Sequence, residues 1–220
     1  MTPNDIILDV KRLAQDSTLL RTPDTYRDET LLGFVNNILQ QTAIYRPDLF
    51  SKSVSLLTTP NSVSQVMPAD SIRLIEIFYC EQGGALEEVD RARFNRTYPD
   101  WVNSNAGVPI KFMRHQRNPN AYFLYPKPQA DITLAGEYAQ SPPTYTIDET
   151  IELLPDAYRP AIVYGTAYMV EAINNDMSGA SDSNRARELN AMYFKALELA
   201  TDGRILTDIE NAGVAIRAAQ

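Results

Sequence analysis

The sequence is poor in the residues that most catalytic and metal sites require. Its 220 residues include one cysteine, Cys80, and one histidine, His115. A single cysteine excludes a disulfide within the chain, and one of each residue cannot make a structural zinc site. His115 lies in the polar run KFMRHQR, where a solvated strand face accounts for it, and Cys80 is typical of a small buried side chain. We therefore expect no cofactor, no metal and no Cys- or His-dependent catalysis.

Long apolar runs are also missing from the chain. No stretch approaches the ~20 apolar residues that span a bilayer. The N-terminus has no apolar segment of the kind found in signal peptides. We expect a soluble, intracellular protein that makes no contact with a membrane.

Positive charge is scarce as well. Twenty Lys and Arg residues face 28 Asp and Glu residues, so the net charge is -8. Proteins that bind nucleic acid use cations to displace counterions, so this chain suits a surface that DNA passes without adhering. Two small basic groups are flanked by acids, and we interpret them as partners of ion pairs within or between subunits: Arg91, Arg93 and Arg96, and Lys111, Arg114 and Arg117.

Carboxylates remain the main candidates for chemistry. They cluster at Glu87, Glu88 and Asp90 and again at Asp148, Glu149, Glu152 and Asp156. A glycosidase or nuclease could use paired acids. However, these residues lie beside turns and helix starts, where solvation and the helix dipole already favour acids. A carboxylate-dependent hydrolase stays open as a minor alternative.

The chain begins with two helical patterns. Thr2, Pro3 and Asp5 form a helix start, and the apolar spacing from Ile6 predicts a first helix that ends near Asp16. A second apolar stripe runs from residue 31 to residue 42. The segment YRPDLF ends that helix because proline disfavours the α region in the residue before it.

From Ser51 the apolar spacing changes to two, which predicts about seven strands. The stretch IRLIEIFYC is apolar on both faces and is interpreted as a central strand. Gly83 and Gly84 mark one hairpin turn, and the segment ALEEV predicts one short strand. The segment YFLYPKPQADITLAGEYA predicts a second hairpin, with Pro-Lys-Pro-Gln as its turn.

Helical spacing returns at Leu153, and a last helical stripe ends before Gly203. The predicted fold class is therefore α+β. The simplest architecture is a helical bundle, residues 1–49 and 146–203, with an inserted all-β module that is a small barrel or sandwich, residues 50–145. An extended C-terminal arm follows, residues 204–220.

Five stretches resemble, in order, the head–tail adaptor (connector) proteins of tailed bacteriophages. They are FVNNILQQTAIYRPDLF, VMPADSIRLIEI, YPDWVNSNAGVPIKFM, YFLYPKPQADITLAGEYAQSPP and LPDAYRPAIVYGTAYMVEAIN. The resemblance implies a structural virion protein at the neck that is found in the host cytoplasm during assembly. It implies a twelve-fold ring below the portal, which extends the DNA channel and provides the attachment site for tail components. The implied partners are the portal protein, a tail or nozzle protein and further copies of the chain.

Two sets of residues are candidates for these contacts. In this family the C-terminal segment often reaches the portal, which gives the candidates Arg204, Ile205, Leu206, Ile209, Ile216 and Arg217. The negative charge gives candidates for acids that face the channel and repel DNA: Glu87, Glu88, Asp148, Glu149 and Glu152. A carbohydrate- or protein-binding β module of a virion or cell surface is the other alternative.

Overall fold

The computed structural model describes residues 1–15, 28–178 and 184–198. It has a mixed α+β fold, as the sequence predicts. The helices are α1 (Pro3–Gln15), α2 (Asp28–Tyr45), α3 (Arg91–Thr97), α4 (Arg159–Ser178) and α5 (residues 184–198), with 3-10 turns at Pro47–Phe50, Trp101–Asn103 and Asp156–Tyr158. The strands are β1 (Ser51–Leu57), β2 (Ser64–Val66), β3 (Ser71–Cys80), β4 (Gly84–Ala85), β5 (Glu87–Glu88), β6 (Lys111–Arg114), β7 (Ala121–Tyr125) and β8 (Thr133–Gln140).

The chain divides into two compact units. The helical unit comprises the described residues of Met1–Gln41 and Pro143–Gln220, and the β unit is Thr42–Pro142. The helical unit contains α1, α4, α5 and most of α2, while the β unit contains the eight strands named above and α3. Each unit has its own core.

Helix α1 begins where the sequence predicts. The Thr2 hydroxyl accepts a hydrogen bond from the Asp5 backbone N–H at 3.2 Å. In return, the Asp5 carboxylate accepts one from the Thr2 backbone N–H at 2.9 Å. This reciprocal arrangement is a capping box with aspartate in place of the usual glutamate. The hydrogen bond from the Thr2 backbone is the main cause that lowers the pKa of Asp5.

The predicted helical stripes are buried in the helical unit. Helices α1 and α4 pack together and share an ion pair, in which the Arg159 guanidinium lies 2.7 Å from the Asp9 carboxylate. Gly165 lets α2 and α5 approach α4 closely, since a Cβ at this position would lie 2.9 Å from Ile38 and 3.1 Å from Tyr193. The stripe of α5 is buried at Ala186, Leu189, Tyr193 and Leu197.

A side-chain clasp holds the chain where it enters the second half of the helical unit. Asn36 of α2 donates to the backbone carbonyl of Tyr145 at 3.1 Å and accepts from its N–H at 2.9 Å. The amide thereby pairs with the Tyr145 backbone as a neighbouring strand would. This contact fixes the segment before α4 against α2.

The β unit consists of two four-stranded sheets. Sheet A has the strand order β1-β8-β3-β4, and sheet B has the order β2-β7-β6-β5. Both sheets contribute side chains to one hydrophobic core, among them Leu56, Leu74, Ile77 and Leu134 from sheet A and Phe112, Tyr122 and Leu124 from sheet B. Met113 and Phe123 alternate with these residues and contact a second cluster around Phe94 of α3 and Trp101.

Strand β3 is an inner strand of sheet A, between β8 and β4, but its side chains do not alternate regularly as the sequence predicts. Its buried residues recur every third position, at Ser71, Leu74, Ile77 and Cys80. Three irregularities in the pairing with β8 each add one residue to β3, at Ile72, Ile75 and Phe78. An extra residue on one strand resets the alternation, so the inward positions are spaced by three. The other inner strand of sheet A is β8, which pairs along its length with β1 and β3.

The predicted hairpin between β7 and β8 is also wrong. Strand β7 pairs with β2 and β6 in sheet B, whereas β8 pairs with β1 and β3 in sheet A. The Pro-Lys-Pro-Gln segment is therefore a connection between the sheets. Its carbonyls at Lys127 and Pro128 accept from the N–H groups of Gly107 and Asn61. Proline lacks the N–H that a ladder requires, so the segment leaves sheet B instead of turning back along it.

Two smaller expectations have clear outcomes. The Gly83–Gly84 turn connects β3 with β4, and Gly84 has a positive φ of 79° that suits glycine. The single strand expected over ALEEV is two short strands, β4 in sheet A and β5 in sheet B. The predicted end of α5 near Gly203 lies outside the described residues.

Candidate functional site

His115 has a structural role in the turn that follows β6. Its Nδ1 atom accepts hydrogen bonds from the backbone N–H groups of Arg117 at 3.2 Å and Asn118 at 2.9 Å. Its ring stacks on Phe123, with centroids 5.2 Å apart. These contacts hold the turn between β6 and β7. Cys80 is fully buried in the core of the β unit, as its small apolar character suggests.

The described parts of the chain contain neither a metal-binding cluster nor a helix that could span a membrane. Across residues 1–15, 28–178 and 184–198, no group of three or more His, Cys, Asp or Glu side chains is arranged to hold a metal ion. Among the helices of those same segments, none is both long enough and apolar enough to cross a membrane.

The first acidic pair, Glu87 and Glu88, is neutralised by basic neighbours. Strand β5 runs parallel to β6, which places Glu87 beside Lys111. The two side chains form an ion pair, and Glu88 forms another with Arg114, whose Nε lies 2.9 Å from the carboxylate. This arrangement confirms that Lys111 and Arg114 serve as ion-pair partners within the chain.

Among the described residues, the second acidic group is compensated only at Asp156, whose carboxylate lies 2.8 Å from the N-terminal ammonium of Met1. Asp148, Glu149 and Glu152 are exposed in the segment that precedes the last 3-10 turn. No ion pair joins them to a basic side chain in the described part of the chain. Glu149 accepts a hydrogen bond from the Thr146 N–H at 3.0 Å. Burial raises the pKa of Tyr145, and the nearby charges of Glu149 and Glu152 raise it further.

A third acidic pair was missed by the sequence analysis. Glu76 of β3 and Glu137 of β8 are direct partners in the ladder of sheet A. Glu137 also accepts a hydrogen bond from the Ser53 hydroxyl at 3.4 Å. The alternation of buried and partly exposed positions around GEYA indicates that Glu137 lies on the outer face. Its partner Glu76 could not be predicted, because the spacing of β3 is irregular.

The arginines of α3 lie at the outer side of sheet B. The helix sequence RARFNRT has three arginines and no acid. Phe94 anchors it in the cluster with Trp101 and Met113. Arg91 lies over the ring of Phe123, 5.5 Å from its centroid. Arg93 and Arg96 are exposed and form no ion pair in the described part of the chain.

The candidate residues for portal binding, Arg204, Ile205, Leu206, Ile209, Ile216 and Arg217, lie outside the described residues. Of the two candidate sets, the structure therefore describes only the acidic residues. It pairs Glu87 and Glu88 with cations and leaves Asp148, Glu149 and Glu152 exposed.

These features define a mixed α+β protein whose charged surfaces suit contacts with other macromolecules. The family model described as SU10 adaptor protein matches residues 1–216. The chain belongs to this family of phage head–tail adaptors, which confirms the resemblance found in the sequence. The family is structural and is not known for an enzymatic activity. Membership implies a place at the virion neck, oligomerisation and contacts with portal and tail components. A search among curated proteins found no match.

Proposed function

We propose that the protein forms a twelve-fold ring below the portal, extends the DNA channel and provides the attachment site for tail components. The observation that carries this proposal is the family match over residues 1–216. In the proposed architecture, helices from both halves of the chain form a bundle, the β unit is an insert with a barrel or sandwich arrangement, and residues 204–220 are an arm.

The ring should depend on the portal. The apolar stripes of the described helices and the inner faces of the sheets are buried in the cores of the two units. Only modest apolar surface therefore remains for strong self-association. Native mass spectrometry of the protein alone and after mixing with its portal protein tests this. We expect monomers or weak oligomers alone and a ring on the portal. A stable ring without the portal, or no binding to it, would contradict the proposal.

Acidic residues should line the channel, because a wall of like charge keeps a polyanion from adhering. Asp148, Glu149 and Glu152 are the preferred candidates, since they are exposed and unpaired in the described part of the chain. Glu87 and Glu88 remain candidates, but their cation partners reduce the repulsion that they can exert.

The channel proposal is tested by reversing charge. Replacing Asp148, Glu149 and Glu152 with lysine on portal-bound rings should slow DNA passage and create salt-sensitive duplex binding. Replacing Glu87 and Glu88 in the same way is the matched comparison. Tight, salt-sensitive binding of duplex DNA by the unaltered protein would argue against an acidic channel.

The arm should fold on the portal through its apolar residues. Ile205, Leu206 and Ile209 are too few to form a core alone but can occupy a groove on a partner. A chain truncated after Gly203 should keep its circular dichroism spectrum and melting temperature but fail to load onto the portal. Normal loading would assign attachment to the β unit or to a helix face instead.

A further inference from the structure

Sheet A has one face that is exposed around Glu76 and Tyr79. Its other face contributes Leu56, Ile77 and Leu134 to the shared core. Neighbouring residues along a regular strand point to opposite sides. The residues of β8 that alternate with Leu134, together with their ladder partners on β1 and β3, therefore form the outer face. We call this the open face of sheet A, and it comprises Ser51, Ser53, Ser55, Leu57, Arg73, Glu76, Tyr79, Thr133, Ala135, Glu137 and Ala139.

The open face has an unrelieved electrostatic cost at its centre. Glu76 and Glu137 are opposite each other on adjacent strands, and like charges in that position destabilise a sheet. Neither forms an ion pair in the described part of the chain. Arg73 lies in the next row of the same face and lines a cavity with Arg114 and His115, and it forms no ion pair with either glutamate among the described residues. A cation supplied from outside the chain would relieve this repulsion.

The same face exposes apolar surface beside the acids. Leu57 is 69% exposed and Tyr79 is 48% exposed. Tyr79 and Ser55 flank Ala135, so the acids and the apolar side chains form successive rows of one surface. A partner for this face therefore needs both cations and an apolar or aromatic group.

Helix α3 offers that combination on the opposite side of the same unit. Sheet B lies between α3 and the shared core, since Phe112 and Leu124 point into the core while Met113 contacts Phe94 of α3. Arg93 and Arg96 are exposed, and Tyr98, which ends the helix, is 48% exposed. The β unit thus carries an arginine surface on one side and an acidic, apolar surface on the other.

We propose that α3 of one copy docks on the open face of sheet A of the next copy, with Arg93 and Arg96 beside Glu76 and Glu137. The proposal rests on the ring proposed above and names the contact that closes it. Because the two surfaces lie on opposite sides of one unit, each copy can use both at once. Such head-to-tail contacts close into a ring when the rotation between copies permits. Exposed ion pairs contribute little individually, so the contact is weak between free copies.

A charge-swap experiment tests the contact. One variant carries Glu76→Arg and Glu137→Arg, and the other carries Arg93→Glu and Arg96→Glu. Sedimentation velocity at low salt and high protein concentration should show self-association of the unaltered chain. The association constant should fall about ten-fold in each variant alone. An equal mixture of the two variants should recover association, because each open face then meets an α3 of opposite charge. Glu188→Arg with Glu198→Arg makes the same charge change on exposed positions of α5 and should have little effect.

A second measurement does not depend on the reversed variants remaining folded. Arg96→Lys keeps the charge and supplies an amine that a carbodiimide can join to a carboxylate. We expect a cross-linked dimer in which peptide mapping connects position 96 of one copy to Glu76 or Glu137 of another. Absence of this cross-link and of concentration-dependent association, or a mixture that associates no better than its components, would overturn the proposal.

The outcomes that test this contact can be distinguished from those that test the proposed function. If the reversed variants bind the portal as single copies but do not pair, the adaptor proposal stands and this contact is supported. If each reversed variant associates as well as the unaltered chain and also forms rings on the portal, the function stands and the contact is wrong. If the unaltered chain does not bind the portal, the proposed function itself fails.

Discussion

Gly136 of β8 approaches β3 so closely that a single methyl group has no room. A Cβ at this position would lie 2.5 Å from the carbonyl oxygen of Glu76 and 3.2 Å from the Cα of Ile77. Both obstacles are backbone atoms in the middle of a paired strand, so neither can move by a side-chain rotation. Gly136→Ala must therefore shift β3 away from β8 or distort the ladder between them.

The expected cost follows from this geometry. Overpacking a well-packed site costs typically 1–3 kcal/mol, and an immovable backbone obstacle places this case at the upper end, about 3 kcal/mol. The matched control is Gly33→Ala in α2, where nothing lies within 4 Å of the added Cβ. There the same substitution should stabilise its unit by about 0.5–1 kcal/mol, because alanine is the better helix former.

Urea unfolding can follow the two units separately. The chain has one tryptophan, Trp101, and it is buried in the β unit, so its fluorescence follows the unit that contains Gly136. Far-ultraviolet circular dichroism is dominated by the helices and follows the unit that contains Gly33. A loss below about 1 kcal/mol for Gly136→Ala would show that β3 can yield and would refute the packing argument.

Three further predictions concern polar contacts. Asn36→Ala should lower the stability of the helical unit by about 2 kcal/mol in a denaturation followed by circular dichroism, because two partly buried hydrogen bonds to Tyr145 are lost. Asn36→Asp keeps the acceptor, so its stability should lie between those of the unaltered chain and Asn36→Ala. Unchanged midpoints in both variants would refute the clasp. Asp5 has a lowered pKa, so its stabilisation is present above the unfolded value of 3.8 and is lost as pH falls through the lower folded value. The helicity of the unaltered chain and of Asp5→Asn should therefore converge at low pH, and a difference that persists at pH 2 would exclude ionisation as the cause. Gln65 is 1% exposed and its amide makes three hydrogen bonds to the loop before it; Gln65→Leu should cost the β unit about 1–3 kcal/mol by tryptophan fluorescence, and equal midpoints would show that water replaces those bonds.

Local patterns predicted the helices well because their signals are contained in short stretches of chain. The Thr2–Asp5 cap and the apolar stripe of α2 each follow from residues three or four positions apart. The family resemblance likewise depended on the order of local segments. These are the levels at which a single sequence carries most of its information.

The sheets were harder to predict because pairing partners are distant in sequence. Extra residues at Ile72, Ile75 and Phe78 are apolar, so β3 looks like a regular strand with two apolar faces. The ion pair between Glu87 and Lys111 requires a parallel alignment of β5 and β6, which neither segment encodes by itself. The pairing of Glu76 with Glu137 was hidden for the same reason.

The pairing of α1 with α4 has a consequence for the order in which the protein is completed. Asp9 of α1 meets Arg159 of α4 across a separation of 150 positions. A ribosome therefore releases α1 long before its partner exists, whereas every strand of sheets A and B is available by residue 140. Until α4 emerges, α1 lacks the helix against which it packs in the folded protein. Although α1 is made before the strands, it therefore reaches its final packing only after they are all available.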